Sequence, residues 1–231
     1  MGLRGPKPKG KVRLKWSANF AYAVGLLASD GCLSNDGRHI DLTSKDTEQL
    51  SNFLVALGVD VRITSKCSSS GRKYQRVQFG DVLFYQFLEI IGFTPAKSKT
   101  IGVLLIPKKY FFDFLRGSFD GDGCFYSYWD PRWRSSHMFY IEFVSASKLH
   151  IDWIRNEIFE KFAINGHLAK DGSGSTHQLK YAKKEALVII KKMYYSPNVL
   201  CLSRKKEKIQ RALLVEEKQQ KKYHLKNAQV V

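Results

Sequence analysis

The feature that most constrains this chain is a motif it carries twice. Lys108 to Gly123, KKYFFDFLRGSFDGDG, is an apolar stretch of helical spacing that runs into Asp120 and Asp122, one glycine apart. Phe20 to Gly31, FAYAVGLLASDG, is a weaker copy. Laid on the first, it places Gly25 on Gly117, Leu27 on Phe119, Ser29 on Gly121, Asp30 on Asp122, Gly31 on Gly123 and Cys32 on Cys124. One stripe of small residues ending in Asp-Gly describes many helices that merely pack on a neighbour before a turn; two aligned copies call for a common purpose. Gly117 and Gly121 are four apart, as are Gly25 and Ser29, so each helix has a face of minimal side chains where a second backbone can approach closely. Packed in parallel, the two helices end side by side and make Asp30 and Asp122 neighbours. Two carboxylates at the negative ends of helix dipoles are unfavourable unless a cation joins them. Hard oxygen donors that leave room for water suit Mg²⁺. A calcium loop of the EF-hand type starting at Asp120 is excluded. It needs an oxygen ligand, a glycine and a glutamate where this chain has Cys124, Phe125 and Pro131.

The 231 residues suffice for one large or two small domains with a real core. Lys and Arg number 38 against 21 Asp and Glu, a formal charge of +17, which is the footprint of a polyanion binder. Basic residues are interleaved with Tyr, Gln, Ser and Thr along strand-like stretches rather than gathered on one amphipathic helix, so nucleic acid is favoured over a membrane surface. Cys32, Cys67, Cys124 and Cys201 form no C-x-x-C pair and the histidines lack zinc spacing, so free thiols in a reducing compartment are expected. Cys32 and Cys124 are expected to be small buried side chains. With no signal-like apolar segment and no apolar run of membrane length, the protein is expected to work inside a cell, in cytoplasm, nucleoid or organelle matrix.

Residues 1–16 read as a flexible basic arm, too poor in apolar content to fold alone. Ser17 can cap the first motif helix, which opens a repeat over residues 17–106. Strands follow at Cys32 to Ser34 and His39 to Thr43, where Ile40 and Leu42 alternate with His39, Asp41 and Thr43. A helix from about Asp46 ends at Gly58. Val61 to Lys66 and Tyr74 to Phe79 then read as a hairpin around Ser68 to Gly71. Val61, Ile63, Val77 and Phe79 point inward; Arg62, Thr64, Lys66, Arg76 and Gln78 point out. Asp81 to Ile91 is the last helix of this half. Residues 107–217 repeat the order. Pro107 opens the motif helix, and Phe139, Ile141 and Phe143 alternate with Tyr140 and Glu142. A helix spans Lys148 to Lys161, and a hairpin joins Gly166 to Ala169, with His167, to Gln178 to Ala182, with Lys180. Helices at Glu185 to Tyr194 and Arg204 to Glu217 precede a charged tail over residues 218–231. The fold expected is α+β: two pseudo-symmetric αββαββα repeats whose antiparallel sheets are each covered by helices on one face. The open faces carry groups that reach a major groove, where Arg pairs with guanine and Gln with adenine. The candidates for these contacts are His39, Asp41, Thr43, Arg62, Thr64, Lys66, Arg76, Gln78, Tyr140, Glu142, His167, Gln178 and Lys180.

GLLASDG and LRGSFDGDG resemble the paired signature of LAGLIDADG homing endonucleases in their single-chain, two-repeat form. TPAKSKT, IPKKYFFDFLRG and LSRKKEKI extend the resemblance over roughly Ser17 to Arg211. The departures are Ala28, where many members carry a first acidic residue, and Ser44 and Ser145, where glutamine is common; the final aspartate of each motif is intact. The resemblance implies a monomeric, pseudo-twofold endonuclease. Its two sheets form a saddle along about two turns of double-stranded DNA, on the order of 20 bp, with the motif helices at its centre. It implies Mg²⁺ held by Asp30 and Asp122 with the carbonyls of Ser29 and Gly121, with Mn²⁺ as substitute and Ca²⁺ supporting binding without cleavage. Lys97 and Lys205 would sit beside the scissile phosphates, one bond cut per strand to leave short 3′ overhangs. Two alternatives share the fold: an intron RNA maturase and a catalytically silent DNA-binding regulator.

Overall fold

A computed structural model describes residues 10–67, 71, 73–133 and 136–228, with side chains to residue 221. Two repeats follow one another in the order helix, hairpin, helix, hairpin, helix. The first comprises α1 (Ala18–Asp30), β1 (Gly31–Leu33), β2 (His39–Ser44), α2 (Thr47–Leu57), β3 (Thr64–Cys67), β4 (Lys73–Gly80) and α3 (Val82–Ile90). The second comprises α4 (Phe111–Asp122), β5 (Cys124–Trp129), β6 (His137–Ser145), α5 (Lys148–Phe162), β7 (His167–Lys170), β8 (His177–Ala182) and α6 (Lys183–Met193), followed by α7 (Ser203–Ala228). Each half builds one antiparallel sheet, ordered β1-β2-β4-β3 and β5-β6-β8-β7. The expected α+β architecture of two αββαββα units is thus the observed one.

Local chemistry sets the helix starts. Ser17, Asp46, Asp81 and Ser147 each stand at an N-cap and accept from the backbone N–H of Phe20, Glu48, Phe84 and His150. Gly58 ends α2 in the left-handed region at φ 65°, which a glycine adopts without penalty. One face of each sheet is the core. Ile40, Leu42, Val77 and Phe79 of the first sheet and Phe125, Phe139, Ile141, Phe143, Leu179 and Tyr181 of the second are buried beneath the helices.

Several expectations are corrected. Of the arm over 1–16, residues 1–9 lie outside the described ones, and the remainder is anchored rather than free. Val12 is buried, and the N–H groups of Lys11 and Val12 both donate to Asp81 Oδ2, at 2.6 and 2.9 Å. The strand expected from Val61 begins only at Thr64, because Val61 and Ile63 turn onto the core before the chain joins β4. Arg62 therefore precedes the ladder. The turn expected at Ser68 to Gly71 lies largely outside the described residues. Pro107 opens a 3-10 turn, Lys108–Tyr110, and α4 starts after it. The last helix continues through most of the supposed tail, to Ala228. Cys32 and Cys124 are exposed, since they pair with Asp41 and Glu142 on the open sheet faces; all four cysteines are free. Among the described residues no helix is long and apolar enough to cross a membrane.

Candidate metal centre and nucleic-acid interface

The motif helices α1 and α4 pack through their glycines. A Cβ built on Gly25 would lie 2.1 Å from Phe114 O, and one on Gly117 would lie 2.0 Å from Tyr22 O. Real side chains never come that close, so only glycine permits this approach. One turn further on, a Cβ on Gly121 would meet Ser29 Oγ at 1.9 Å and Asp30 Oδ2 at 2.7 Å. The two helix ends, each finishing in an aspartate, are therefore in contact.

Burial raises the pKa of Asp30 to about 6, with the Asp122 charge adding to the effect, while Gln49, Lys205 and Lys97 oppose it. Gln49 Nε2 donates to Asp30 Oδ2 at 2.5 Å, and its Oε1 accepts from Ser44 Oγ at 2.7 Å. Asp122 is raised in turn by burial, against the pull of Lys97 and Lys205. Lys97 leaves a 3-10 turn, Lys99 closing it, and Lys205 leaves the first turn of α7. Both are buried. Lys97 Nζ donates to Ser29 O at 3.3 Å; Lys205 Nζ donates to the carbonyls of Phe119, Asp120, Gly121 and Gly123 between 2.5 and 3.3 Å. Burial pulls each lysine down to about 8, partly offset by the aspartates around it.

Asp30, Asp122, Ser29, Gly121, Lys97 and Lys205 are thus gathered at one point. Among the described residues no cluster of three or more His, Cys, Asp or Glu side chains exists to hold a metal unaided. Two carboxylates whose burial resists ionisation, beside carbonyl oxygens that already attract ammonium groups, are nonetheless a hard-oxygen set that fits a divalent cation. Sequence reasoning missed Gln49. The family resemblance places a glutamine at Ser44, and here Ser44 instead fixes a glutamine supplied by α2.

Asp120, one glycine away from Asp122, has a different fate. It is fully buried, with Oδ2 accepting from Tyr22 Oη and from the N–H of Leu202, both at 2.8 Å. Of the two aspartates only Asp122 faces its repeat mate.

The open face of the first sheet carries His39, Asp41, Thr43, Thr64, Lys66, Arg76 and Gln78, by strand alternation and register. These groups are not all free. Asp41 accepts from Thr43 Oγ1 at 2.9 Å and from Arg76 at 3.3 Å, and His39 Nδ1 lies 2.5 Å from Asp36. Arg62 is exposed just before β3. On the second sheet Glu142 sits opposite Lys180, its ion-pair partner at 3.5 Å, and His167 lies across from Lys180 on β7. Gln178 shares that face. Tyr140 is stacked between Tyr126 and Tyr128, at centroid distances of 5.1 and 6.2 Å. The tyrosines of β5 went unnoticed because the repeated order implied a strand after the second motif but gave it no residue bounds.

No protein-family model and no curated protein sequence matches the chain. Among solved structures it is similar to the I-LtrWI LAGLIDADG homing endonuclease bound to target DNA, with TM-score 0.57, 12% identity, and coverage of 90% of this chain and 92% of that one. It is also similar to full-length DUF199/WhiA from Thermatoga maritima, with TM-score 0.54, 16% identity, and coverage of 87% of this chain. The chain spans 62% of that protein's length. A third neighbour is I-DmoI in complex with DNA and Mn, with TM-score 0.51, 13% identity, and coverage of 78% of this chain and 97% of that one. At these identities the shared property is the fold.

Proposed function

We propose that this protein is a site-specific, metal-dependent endonuclease of double-stranded DNA, acting as a single chain on a long asymmetric target. One observation carries the reading. Two copies of a motif bring Asp30 and Asp122 to one point, with a buried lysine beside each motif's last turn and a polar sheet face on either side.

Asp30 and Asp122, with the carbonyls of Ser29 and Gly121, would hold Mg²⁺. When bound, such ions activate water and stabilise the leaving oxygen of a phosphodiester. The chain's own part is positional and electrostatic. The sheets hold the duplex across the helix pair through Arg62, Lys66, Arg76, Gln78, Gln178 and Lys180, with His39, Thr43, Thr64, Tyr140 and His167 along the same faces. Asp41 and Glu142 hold the cations beside them in fixed directions. Lys97 and Lys205, each buried beside the last turn of a motif helix, would offset the charge that builds up on a scissile phosphate in the transition state. Because the faces differ residue by residue, the two half-sites differ too.

A second reading is a DNA-binding protein without cleavage. It is favoured by the two ammonium groups that already occupy Ser29 O and Gly121 O. A cleavage selection on a randomised duplex library with Mg²⁺ separates the two. Recovery of one long target cut on both strands supports the endonuclease; enrichment by binding with no cut under Mg²⁺ or Mn²⁺ supports the second reading.

A further inference from the structure

The two motif helices differ along one stripe beside their shared glycine contact, where Tyr22 of α1 reaches both Asp120, by its hydroxyl, and Arg116, by its ring. On α4, Asp113, Arg116 and Asp120 follow one another at helical spacing and are buried; their repeat mates on α1 are Ala21, Val24 and Ala28. This polar stripe grips the segment that leads into α7. Arg116 Nε donates to Leu200 O at 2.8 Å, and its other nitrogens to Met193 O and Asp113. From α2, Asn52 Nδ2 donates to Cys201 O at 3.0 Å, and Glu48 accepts from Ser203. At the centre Asp120 Oδ2 takes the N–H of Leu202. The carbonyl of that same Leu202 accepts from the N–H groups of Lys205 and Lys206, so it begins the turn from which Lys205 reaches the site. Asp120 Oδ1 is buried with no partner among the described residues, which marks the carboxylate as held for what Oδ2 does.

Lys97 is aimed differently. Its approach is fixed by backbone bonds, from Phe93 N to Leu88 O and from Thr100 and Ile101 to Lys97 O, with Ala96 in the left-handed region at φ 54°. Ala28 stands where α1 would offer a carboxylate.

We infer that Asp120 is a positioning residue for Lys205 and for Lys205 alone, so the two halves of the site aim their lysines by separate means. The inference rests on the endonuclease reading for its effect on cleavage, but not for its structural content. Two readouts test it. The first is acylation of lysine amines with an N-hydroxysuccinimide ester in metal-free protein, read by mass spectrometry, with Lys97 as internal reference. The second is the separate cleavage rate of each labelled DNA strand.

Asp120→Ala is expected to raise Lys205 labelling several-fold while leaving Lys97 unchanged. It should slow one strand about 10²-fold, the scale of a small misplacement near the chemistry, so that nicked duplex accumulates. Asp120→Asn keeps an acceptor for Leu202 and Tyr22, and should retain both the protection and the cutting of both strands. Equal slowing of both strands in Asp120→Ala, or unchanged Lys205 labelling, would overturn the inference. If Asp120→Ala does not fold, Asp120→Asn still decides. Loss of cutting with Lys205 still protected would mean that the carboxylate acts by its charge, and the inference would be wrong. A wild-type protein that cuts no duplex defeats the endonuclease reading instead, and the labelling alone then decides the positioning.

Discussion

Asp30, Asp122 and Asp120 are the same residue type within one small region, and their surroundings give them different work. Asp30→Asn and Asp122→Asn are each expected to abolish double-strand cleavage while affinity for the target in Ca²⁺ stays within about tenfold, since on the proposed reading each carboxylate would serve the metal and not recognition. Either variant cutting both strands at the wild-type rate would remove that aspartate from the reaction. Titration gives a second check. Folding raises Asp30 from 3.8 to about 6, chiefly by burial, so between those values the folded protein keeps a proton that the unfolded chain has released. Stability in chelator should therefore fall as pH climbs from about 4 to 6 and stay lower above, by roughly 1–3 kcal/mol for this group. Asp120, also raised to about 6, adds a fall of the same sign. Asp30→Asn should flatten part of that decline and melt higher than wild type at pH 7; thermal unfolding across pH reads both. That Asp30 and Asp122 come together was legible in the sequence because each ends a repeated motif. The role of Asp120 was not. Its partner, the Leu202 N–H, lies 82 residues away, and nothing local to FDGDG says which carboxylate turns inward.

At the scale of elements, the helix pair is the joint that makes the site. Gly117→Leu must drive α4 away from Tyr22 O, and Gly25→Leu must do the same against Phe114 O. Overpacking of this kind costs roughly 1–3 kcal/mol or more, and it also separates Asp30 from Asp122. Both variants should lose stability and cleavage together. Gly172→Ser, on a loop where an added Cβ meets nothing within 4 Å, should change neither. A Gly117→Leu protein that melts and cuts normally would show that the carboxylates come together by some other contact. The helices, the cap at Ser17, the stop at Gly58 and the doubled αββαββα order could be read from the sequence because each is set by near neighbours or by the repeat. Strand limits could not. Val61 and Ile63 alternate correctly with Arg62, yet they serve the core before the ladder begins, a choice made by tertiary packing. Cys32 and Cys124 look like core residues by type, and register places them on the open faces instead.

The whole molecule sets a cationic surface around a small acidic centre. A chain of formal charge +17 has a strong field, and the carboxylates that would repel DNA are tied up: Asp41 with Arg76, Glu142 with Lys180, Asp46 with Arg204. The sheets therefore offer cations held in fixed directions, and on the proposed reading the aspartates of the centre would be left for metal. The charge was plain from composition, whereas the pairing depends on register, Asp41 lying across from Gln78 and diagonal to Arg76. If this surface follows two turns of duplex, binding must release the counterions condensed on the phosphates it replaces. Affinity should then fall steeply with salt, by about 10³–10⁵ between roughly 50 and 200 mM if some six to ten phosphates are neutralised. Arg76→Ala and Lys66→Ala report different parts of that surface. Arg76, half-buried and fixed by Asp41, should act in base recognition, so its loss should relax preference at one position with little change in slope. Lys66, exposed on the edge strand β3, should act on phosphate, so its loss should weaken binding to all sequences alike and reduce the slope by about one. Binding isotherms at several salt concentrations, on the selected target and on scrambled duplexes, measure both. A nearly flat dependence on salt for the wild-type protein would mean that its cations do not track phosphates, and the saddle would have to bind something other than a duplex.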